Sequence, residues 1–587
     1  MSFLDSLTPA EVATVESYFH PVSFPKEACI MEIGEPGNGC YLIDSGEIRL
    51  ELTSTETDSD SVLGYLKLGD FLGEFSLCDG QPRSASAFAE TDVAARWFSI
   101  DDFNQLCVAH PATGLAVSRA LAGSLSGKMR EMNRRLSEYL FADEIDAATD
   151  SLVARVAEAQ REFADWPEEK VDALIDGIAR AFADQAADFA EATVEETKMG
   201  NVADKTAKNR FSALEVARSL CGKPAGGLLS SDDSKGRVDT FVSPAGVVLG
   251  LIPVTNPVAT IVFKTLVALK SRNGLILSVH RSAQKVGAKS AALIREILSQ
   301  HGAPTQLVLP IEARSSRRTT AMFMKHPGVA LILATGGPSM VKAAYSSGTP
   351  AIGVGAGNAP CWIAPDADSA KAAALVVGSK SFDCGVICGS ENNLVVDASI
   401  RADFSAALES HGAAVLSPDE KRRFCAHVFD PADGHLRKEI IGRPAAETAA
   451  ACGIKRDFPI RLVVIPASHE ELSGPLAAEK LAPMISLFTA NGDDEAISLC
   501  RRILDHSGKG HTASLHTASD DRAGRFAREI AASRLLVNAG SAQGCIGFGT
   551  GLTPSFTLGC GFLGGNSTSD NVSFNHLLNY HRLAWGV

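Results

Sequence analysis

The sequence predicts an α/β protein in which a doubly wound parallel sheet follows a small antiparallel β-roll with flanking helices. Beyond residue 145, apolar segments rich in β-branched residues alternate with helical segments, a pattern typical of parallel strands covered on both faces. Before residue 140, short segments that alternate polar and apolar residues lie between turns rich in Gly, Pro and Asn, which is typical of antiparallel strands.

Composition narrows the class of protein. The chain of 587 residues is too long for a single core, so we expect three or four domains. A net charge of -14 disfavours nucleic acid as a partner. The 13 cysteines form no repeated CxxC pairs, which favours free thiols, a reducing cytoplasm and no metal site. Since neither a signal peptide nor a long apolar run is visible, we expect a cytoplasmic protein without a membrane partner.

The first 140 residues predict the roll. An amphipathic helix is expected over residues 4–19, with Thr8 as its N-cap and Pro9 as its first residue. The chain turns helical again over about residues 101–141. Between these helices, strands are expected at residues 28–33, 40–44 and 47–52, and a hairpin tip at residues 53–61.

A glycine-rich turn at residues 69–87 contains the residues of the roll that indicate a binding function. Gly73 precedes a very short helix that begins at Glu74, whose carboxylate can accept hydrogen bonds from a ribose. Arg83 follows nine residues later, next to Ser84, and its guanidinium group can bind a phosphate through two parallel hydrogen bonds.

This turn resembles the phosphate-binding cassette of cyclic nucleotide-binding domains, and the resemblance extends over about residues 10–130. It implies a domain at residues 1–140 that binds cyclic AMP or cyclic GMP through Gly73, Glu74, Arg83 and Ser84. The alternative is a roll that keeps the shape of the cassette without binding a ligand.

Strands and helices alternate through the rest of the chain. This alternation of strands and helices predicts a doubly wound sheet whose ligands bind at the carboxyl ends of its strands. The buried strands are expected at residues 246–253, 274–279 and 329–337, and helices at residues 259–270 and 339–347.

Cys388 is the candidate nucleophile, in the segment of residues 379–391. Its neighbour Gly389 leaves the sulfur reachable and lets other backbone approach it closely. The thiolate form of a cysteine is a strong nucleophile. The alternative for Cys388 is a buried structural cysteine.

Six stretches, in order along the chain, resemble motifs of the aldehyde dehydrogenase superfamily and cover about residues 150–580. They are most similar to its CoA-acylating branch, which includes acetaldehyde and propionaldehyde dehydrogenases and the aldehyde half of bifunctional aldehyde-alcohol dehydrogenases. The stretches are residues 252–257, 334–338, 353–358, 379–391, 479–483 and 557–566.

The resemblance implies the aldehyde dehydrogenase fold, divided into three parts. We expect a dinucleotide-binding domain at residues 145–375 and a catalytic cysteine domain at residues 376–545. A C-terminal segment at residues 546–587 would take part in oligomerisation and in the substrate pocket. We therefore expect a homo-oligomer, either a dimer or a tetramer.

The resemblance also implies a catalytic sequence. Cys388 attacks the aldehyde carbonyl, and Asn256 with the backbone N–H of Cys388 stabilises the oxyanion that forms. By its local sequence alone, Asn256 would be a turn residue before Pro257. Hydride transfer to NAD or NADP then leaves a thioester on Cys388.

The same resemblance assigns the dinucleotide contacts. Thr335, Gly336 and Gly337 would approach the pyrophosphate, and Glu479 would bind the nicotinamide ribose. His280 stands where hydrolytic members of the superfamily carry a lysine for the adenosine ribose. NAD and NADP therefore both remain open as cofactors.

Residues 353–358 contain no carboxylate, whereas hydrolytic relatives carry a glutamate there that activates water. The acyl-enzyme would then persist until a thiol arrives, so we expect coenzyme A as co-substrate and a small aldehyde or acyl-CoA as substrate. His511 is the candidate general base or cofactor contact, with a structural role as the alternative.

Two other functions remain open: a hydrolytic aldehyde dehydrogenase that releases a free acid, and a nucleotide sensor whose dehydrogenase module is inactive. The substrate could be acetaldehyde, propionaldehyde, succinate semialdehyde or sulfoacetaldehyde. Cys384 stands where close relatives carry asparagine, and is either the partner of Cys388 in a regulatory disulfide or a small filler.

Overall fold

The computed structural model describes residues 7–53, 60–140, 142–234, 236–311, 316–431 and 433–586. The chain divides into two compact units, Met1–Glu144 and Ile145–Val587. No apolar core cluster contains residues of both units within the described ranges, so each unit has its own core.

The first unit is a β-roll with flanking helices. Its strands are β1 (His20–Phe24), β2 (Cys29–Met31), β3 (Gly39–Ser45), β4 (Ile48–Thr53), β5 (Asp60–Leu66), β6 (Phe71–Leu72), β7 (Ser86–Ala89) and β8 (Val93–Ser99). Its helices are α1 (Pro9–Glu16), α2 (Glu74–Asp79), α3 (Ile100–Ala109) and α4 (Pro111–Leu140). The strands form two antiparallel sheets with the orders β1-β8-β3-β6 and β2-β7-β4-β5, as predicted.

The start of the first helix confirms a prediction about its cap. The Thr8 side chain accepts a hydrogen bond from the Glu11 backbone N–H, and Glu11 bonds back to Thr8, which forms a capping box. Pro9 is the first residue of α1. The predicted helix start at residue 4 and most of the predicted hairpin tip, residues 54–59, lie outside the described residues.

The remaining elements belong to the α/β part of the chain. The helices are α5 (Ala142–Phe163), α6 (Glu168–Asp184), α7 (Ala186–Thr197), α8 (Val202–Leu220), α9 (Pro257–Lys270), α10 (Gln284–Gln300), α11 (Arg317–Lys325), α12 (Pro338–Tyr345), α13 (Ser369–Ser381), α14 (Arg401–Ser410), α15 (Pro418–Val428), α16 (Ala445–Ala451), α17 (Asp493–His506), α18 (Asp520–Glu529) and α19 (Ser541–Gly544). The strands are β9 (Gly227–Asp232), β10 (Val238–Pro244), β11 (Val247–Ile252), β12 (Gly274–Val279), β13 (Val308–Pro310), β14 (Leu331–Ala334), β15 (Ala351–Gly353), β16 (Ala359–Ile363), β17 (Glu391–Asp397), β18 (Ala413–Val415), β19 (Leu462–Pro466), β20 (Met484–Ala490), β21 (Gly510–His516), β22 (Ala532–Val537) and β23 (Leu578–Ala584).

Two parallel sheets and one antiparallel sheet organise this unit. The parallel sheets have five and seven strands, with the orders β13-β12-β11-β14-β15 and β18-β19-β20-β17-β16-β21-β22. The antiparallel sheet has the order β23-β10-β9. The chain passes from the first parallel sheet to the second between β15 and β16, and the predicted domain boundary at residues 375/376 falls inside α13. The division of this unit into three parts stays a prediction.

The core of the five-stranded sheet positions the loops that matter for function. Every residue of β11 and β12 is buried, which confirms the strands that the apolar runs predicted. All 14 residues of α9 are buried as well, including its two lysines, Lys264 and Lys270. Because β11 pairs in parallel with both β12 and β14, the carboxyl ends of these strands lie at the same edge. In the described ranges, we find no helix with the length and apolarity needed to cross a bilayer.

Candidate active site

A cavity of about 1140 Å³ opens where β11, β12 and β14 end. Its volume exceeds the roughly 300–1,000 Å³ of most small-molecule pockets, so it has room for an extended ligand. Seven predicted site residues line this cavity, whereas His511 does not. The seven are Asn256, His280, Thr335, Gly336, Gly337, Cys388 and Glu479.

Cys388 lies in the turn between α13 and β17, and its side chain is partly exposed on the cavity wall. Burial raises the pKa of the Cys388 thiol well above its usual range, and the nearby Cys545 and Glu479 raise it further. The guanidinium group of Arg534 lowers that pKa. Arg534 therefore favours the thiolate form of Cys388, but its effect is smaller than that of burial.

Arg534 was not singled out from the sequence. It is buried in β22, and its Nη2 donates to the carbonyl oxygens of His511 at 2.8 Å and Gly559 at 2.7 Å. Burial lowers the pKa of Arg534, while the surrounding thiols, that of Cys388 included, raise it. The sequence gives no signal for this role, because only the order of the strands brings β22 near the cysteine.

Asn256 is the N-cap residue of α9 and is held through both backbone and side chain. Its carbonyl oxygen accepts hydrogen bonds from Thr260 N at 3.1 Å and Thr260 Oγ1 at 2.7 Å. Its Oδ1 accepts a hydrogen bond from Lys208 Nζ, and its Nδ2 donates to Thr255 Oγ1 at 3.2 Å. Asn256 is thus a helix-cap residue that also lines the cavity.

Glu479 and Gly357 lie next to the Cys388 turn. Glu479 Oε1 accepts a hydrogen bond from Gly357 N at 3.2 Å. A Cβ atom on Gly357 would lie 1.7 Å from the carbonyl oxygen of Cys388, so only glycine fits there. Burial raises the pKa of Glu479 to about 7, although Lys380 and the Gly357 N–H lower it. Within the described part of the chain, Glu479 is the single carboxylate on the cavity wall.

The segment of Thr335, Gly336 and Gly337 connects β14 to α12, with Gly337 as the N-cap of the helix. A Cβ atom on Gly337 would meet no heavy atom of the described residues within 4 Å, and one on Gly336 would meet Met340 at 3.7 Å. The open space therefore lies at the positive end of a helix, where a diphosphate is stabilised. These residues fit the pyrophosphate of a dinucleotide.

His280 follows β12 and lies on the cavity wall beside Arg281. Its Nδ1 accepts a hydrogen bond from Ser282 N at 3.2 Å. Partial burial and the positive charge of Arg281 lower the pKa of His280, so the imidazole is neutral near pH 7. A neutral imidazole can bind a ribose hydroxyl, and the contact of His280 with the adenosine ribose stays a prediction.

His511 is the one predicted residue of this unit that the structure does not bring to the cavity. It lies in β21 and is fully buried, with Nδ1 at 2.8 Å from Thr512 Oγ1. Its Nε2 has no hydrogen-bond partner among the described residues. Burial, with a smaller effect of Arg534, lowers the pKa of His511 well below its usual range. A general base or cofactor contact at His511 therefore finds no geometric support.

A buried group of charges next to Asn256 was also missed. Asp383 Oδ2 accepts hydrogen bonds from Lys205 Nζ at 3.0 Å and from Lys208 Nζ. All three side chains are almost completely buried. Lys205 and Lys208 are three residues apart on α8 and so share a face. That spacing is the only signal in the sequence, and lysines in such a pattern are usually solvated.

The predicted nucleotide cassette forms in the first unit. Gly73 has φ 83°, which favours glycine, and a Cβ atom there would lie 2.2 Å from Arg83 Nη1 and would have to displace that side chain. Arg83 is buried, and its Nη1 donates to the carbonyl oxygens of Gly39 at 2.8 Å and Gly73 at 2.9 Å. Ser84 is exposed beside it.

Glu74 is almost fully buried at the start of α2 and forms an ion pair with Lys128 of α4. Lys128 Nζ also donates to the carbonyl oxygen of Phe71 at 2.9 Å. The carboxylate that would accept hydrogen bonds from a ribose is therefore held by a lysine of the same unit.

Comparison with known proteins agrees with both parts of the chain. Residues 139–552, most of the sequence, match the aldehyde dehydrogenase family. The chain belongs to the aldehyde dehydrogenase family. Residues 21–110 of this aldehyde dehydrogenase match the cyclic nucleotide-binding domain, which confirms both resemblances.

Three similar proteins show how far the likeness extends. The bifunctional aldehyde-alcohol dehydrogenase AdhE of Escherichia coli is 38% identical over 443 residues, which are 75% of this chain and 49% of that protein. An acetylating aldehyde dehydrogenase of Geobacillus thermoglucosidasius is 37% identical with a TM-score of 0.73, covering 76% of this chain and 97% of that structure. A propionaldehyde dehydrogenase of Rhodopseudomonas palustris with bound propionyl-CoA is 27% identical with a TM-score of 0.68, covering 74% of this chain and 94% of that structure. This aldehyde dehydrogenase thus spans about half the length of the curated aldehyde-alcohol dehydrogenase it matches.

In this aldehyde dehydrogenase, the segment at residues 354–357 presents backbone and small apolar side chains to the cavity. This is the stretch without a carboxylate that was noted in the sequence. A water molecule there would meet no carboxylate of this segment that could remove its proton.

Proposed function

We propose that the chain is a CoA-acylating aldehyde dehydrogenase, which converts a small aldehyde, coenzyme A and NAD(P)+ into acyl-CoA and NAD(P)H. One observation carries the proposal: Cys388 and Asn256 line the same cavity as Gly336 and Gly337, and a Cβ atom on Gly337 would meet open space there. A thiol nucleophile, an amide donor and a dinucleotide site are what this reaction requires.

The first half-reaction loads Cys388 with an acyl group. The thiolate attacks the carbonyl carbon, a C–S bond forms, and the electron pair of the C=O bond moves to the oxygen. Asn256 Nδ2 and the Cys388 backbone N–H donate hydrogen bonds to that oxygen, and loss of one such donor costs about 10²–10³ in kcat. As the oxygen re-forms the C=O bond, the C–H bond breaks and the hydride leaves; NAD(P)+, held with Glu479 as the contact to its nicotinamide ribose, would accept that hydride. The acyl group then remains on Cys388 as a thioester.

The second half-reaction transfers the acyl group to coenzyme A. The CoA thiolate attacks the thioester carbon, and the Cys388 sulfur leaves as a thiolate. The segment at residues 354–357 supports this choice of acceptor, because it offers no carboxylate to activate water. The bound propionyl-CoA of the Rhodopseudomonas palustris enzyme supports it as well.

We further propose that the roll binds cyclic AMP or cyclic GMP through Arg83 and Glu74. The support is the match to the cyclic nucleotide-binding domain and the retention of both side chains in the cassette. Because Lys128 now pairs with Glu74, ribose hydroxyls would compete with that ammonium group for the same carboxylate.

A cytoplasmic homo-oligomer, a dimer or tetramer, is proposed for the assembly. Cys384, Cys388, Cys545 and Cys560 are free thiols, as is usual in a reducing compartment. The strand β9 is exposed along its whole length at the edge of the antiparallel sheet, where a second copy could pair. Light scattering after size-exclusion chromatography measures the state, and a monomer at micromolar concentration would contradict it.

The test of the dehydrogenase is an assay with and without coenzyme A. Aldehyde and NAD+ or NADP+ alone should give a single acyl adduct on Cys388, detected by peptide mass spectrometry, and then no further turnover. Adding CoA should restore turnover. The panel contains acetaldehyde, propionaldehyde, succinate semialdehyde and sulfoacetaldehyde.

Matched cysteine variants complete this test. Cys388→Ala should form no adduct and show no turnover, whereas Cys384→Ala, changed only four residues earlier, should keep both. Sustained release of carboxylate without CoA would instead indicate a hydrolytic enzyme. An intact protein without any adduct across the panel would indicate an inactive module.

A further inference from the structure

Lys208 occupies an unusual position for a charged side chain. It is 2% exposed, as is Lys205, and Asp383 between them is 0% exposed. Two buried lysines are costly unless each ammonium group is well paired. Their shared partner is Asp383 Oδ2.

The ammonium group of Lys208 also donates to Asn256 Oδ1. Because an ammonium group has only donors, the amide of Asn256 must present its oxygen to Lys208 and its NH₂ group away from it. One N–H of that group bonds to Thr255 Oγ1 at 3.2 Å, and Asn256 lines the cavity. A flipped amide would place two N–H groups against the ammonium group. The hydrogen bond from Lys208 therefore determines that the NH₂ group of Asn256, and not its oxygen, is available to a ligand in the cavity.

The loop that leads to Cys388 holds the counter-ion in place. Asp383, Cys384 and Gly385 all have positive φ, at 47°, 53° and 70°. This left-handed run brings Asp383 against the start of α8, where Asn201 N donates to Asp383 Oδ1 at 3.0 Å. Such strain persists only where the surroundings over-determine the backbone.

We propose that Lys208 is a positioning residue of the dehydrogenase reaction: it orients and polarises the amide of Asn256, so that Nδ2 donates to the oxyanion formed at the aldehyde carbonyl. Asp383 keeps Lys208 at that place. The proposal rests on the proposed function, because it acts through Asn256 on the attack by Cys388.

The charge of Lys208 supports this role. Burial lowers the pKa of Lys208 to about 8, an effect that Lys205 adds to and Asp383 and Asp204 oppose. The side chain is thus mainly protonated at neutral pH. A cation against Oδ1 withdraws electron density from the amide and makes its N–H groups better donors.

The test is a double-mutant cycle on the acylation step, measured as the burst of NAD(P)H with CoA omitted. Lys208→Met should slow acylation about 10²-fold, as the loss of an oxyanion donor does, with the KM for dinucleotide within about twofold of wild type. In the Asn256→Ala background, the same change should slow acylation less than about twofold further, because two residues that act as one unit are not additive.

Two variants separate positioning from folding. Lys270→Met removes another fully buried lysine, one that pairs with Glu168 and Asp172 away from the cavity, and should leave the acylation rate unchanged. Lys208→Gln keeps a neutral donor, should recover part of the rate, and replaces Lys208→Met in the cycle if that variant does not fold.

The results of these assays separate a failure of the proposed dehydrogenase function from a failure of the role proposed for Lys208. If wild-type protein forms no acyl adduct, the proposed function is wrong. If wild type is active but the Lys208 variants acylate within about threefold of its rate, or if their effect adds fully to that of Asn256→Ala, then the role of Lys208 is wrong.

Discussion

At the scale of single residues, Glu479 shows how burial changes a group that looks ordinary in the sequence. A glutamate followed by a lysine would normally be a solvated pair, but here the carboxylate faces the cavity and bonds to Gly357 N. Burial raises its pKa to about 7 from 4.5. The carboxyl group therefore binds a proton more tightly in the folded than in the unfolded protein.

The stability of the protein should then depend on pH through Glu479. The proton that Glu479 binds stabilises the folded state. This stabilisation is fully present below about pH 4.5 and is lost as the pH rises to about 7, because ionisation of Glu479 then opposes folding. Between about pH 6 and pH 8, wild type should lose about 1 kcal/mol more unfolding free energy than Glu479→Gln, at 1.36 kcal/mol per pKa unit. Urea unfolding at the two pH values measures this difference. Equal losses in the two proteins would show that the pKa of Glu479 is not raised.

Cys384 has a backbone conformation that the sequence alone did not reveal. Its φ of 53° lies in the left-handed region, which asparagine tolerates better than most residues. The asparagine that the resemblance implies at this position would thus have a backbone reason. Cys384 is buried and unpaired, which agrees with the small filler that the sequence left as one alternative.

At the scale of elements, the segment between β15 and β16 packs directly on the turn that carries Cys388. The contact is backbone against backbone, since the missing side chain of Gly357 leaves room for the Cys388 carbonyl oxygen. By contrast, a Cβ atom on Gly337, between β14 and α12, would meet open space. Glycine thus serves close packing in one loop and ligand access in the other.

Two glycine variants should separate these roles. Gly357→Ala should lower kcat about 10²-fold, because a Cβ atom 1.7 Å from the Cys388 oxygen must displace the catalytic turn, and small displacements are costly. Gly337→Ala should fold as wild type does but raise the KM for dinucleotide, because its methyl group enters the diphosphate space. Steady-state kinetics and thermal unfolding measure both effects. A Gly357→Ala enzyme with normal kcat would contradict the packing argument.

At the scale of the whole molecule, the chain consists of two units that each bury their own apolar clusters. A ligand that binds one unit stabilises that unit by mass action. The ligands proposed for the two units differ, so their effects on unfolding can be told apart.

Differential scanning calorimetry should therefore show a nucleotide-dependent transition of the first unit. Cyclic AMP or cyclic GMP at about 100 times its Kd should stabilise that unit by about 2.7 kcal/mol, whereas NAD+ should shift the transition of the second unit. Arg83→Ala should abolish the nucleotide effect. No shift with either cyclic nucleotide would mean that the roll keeps its shape without a ligand.

The sequence by itself determined the fold class and the three buried strands β11, β12 and β14, and it predicted most of the residues that we propose carry the chemistry. It could do so because burial patterns and motifs are local: the apolar runs mark strands, and Cys388 and Asn256 each lie in a short recognisable segment. Seven of its predicted residues do meet in one cavity.

Only the tertiary structure decided what surrounds those residues. Lys208 and Asp383 are 175 residues apart, and Arg534 comes from a different strand, so no local pattern could pair them with Asn256 or Cys388. The same holds for His511, whose motif predicts chemistry but whose strand buries it away from the cavity wall. Charge, burial and pKa depend on neighbours that the chain brings together only when it folds.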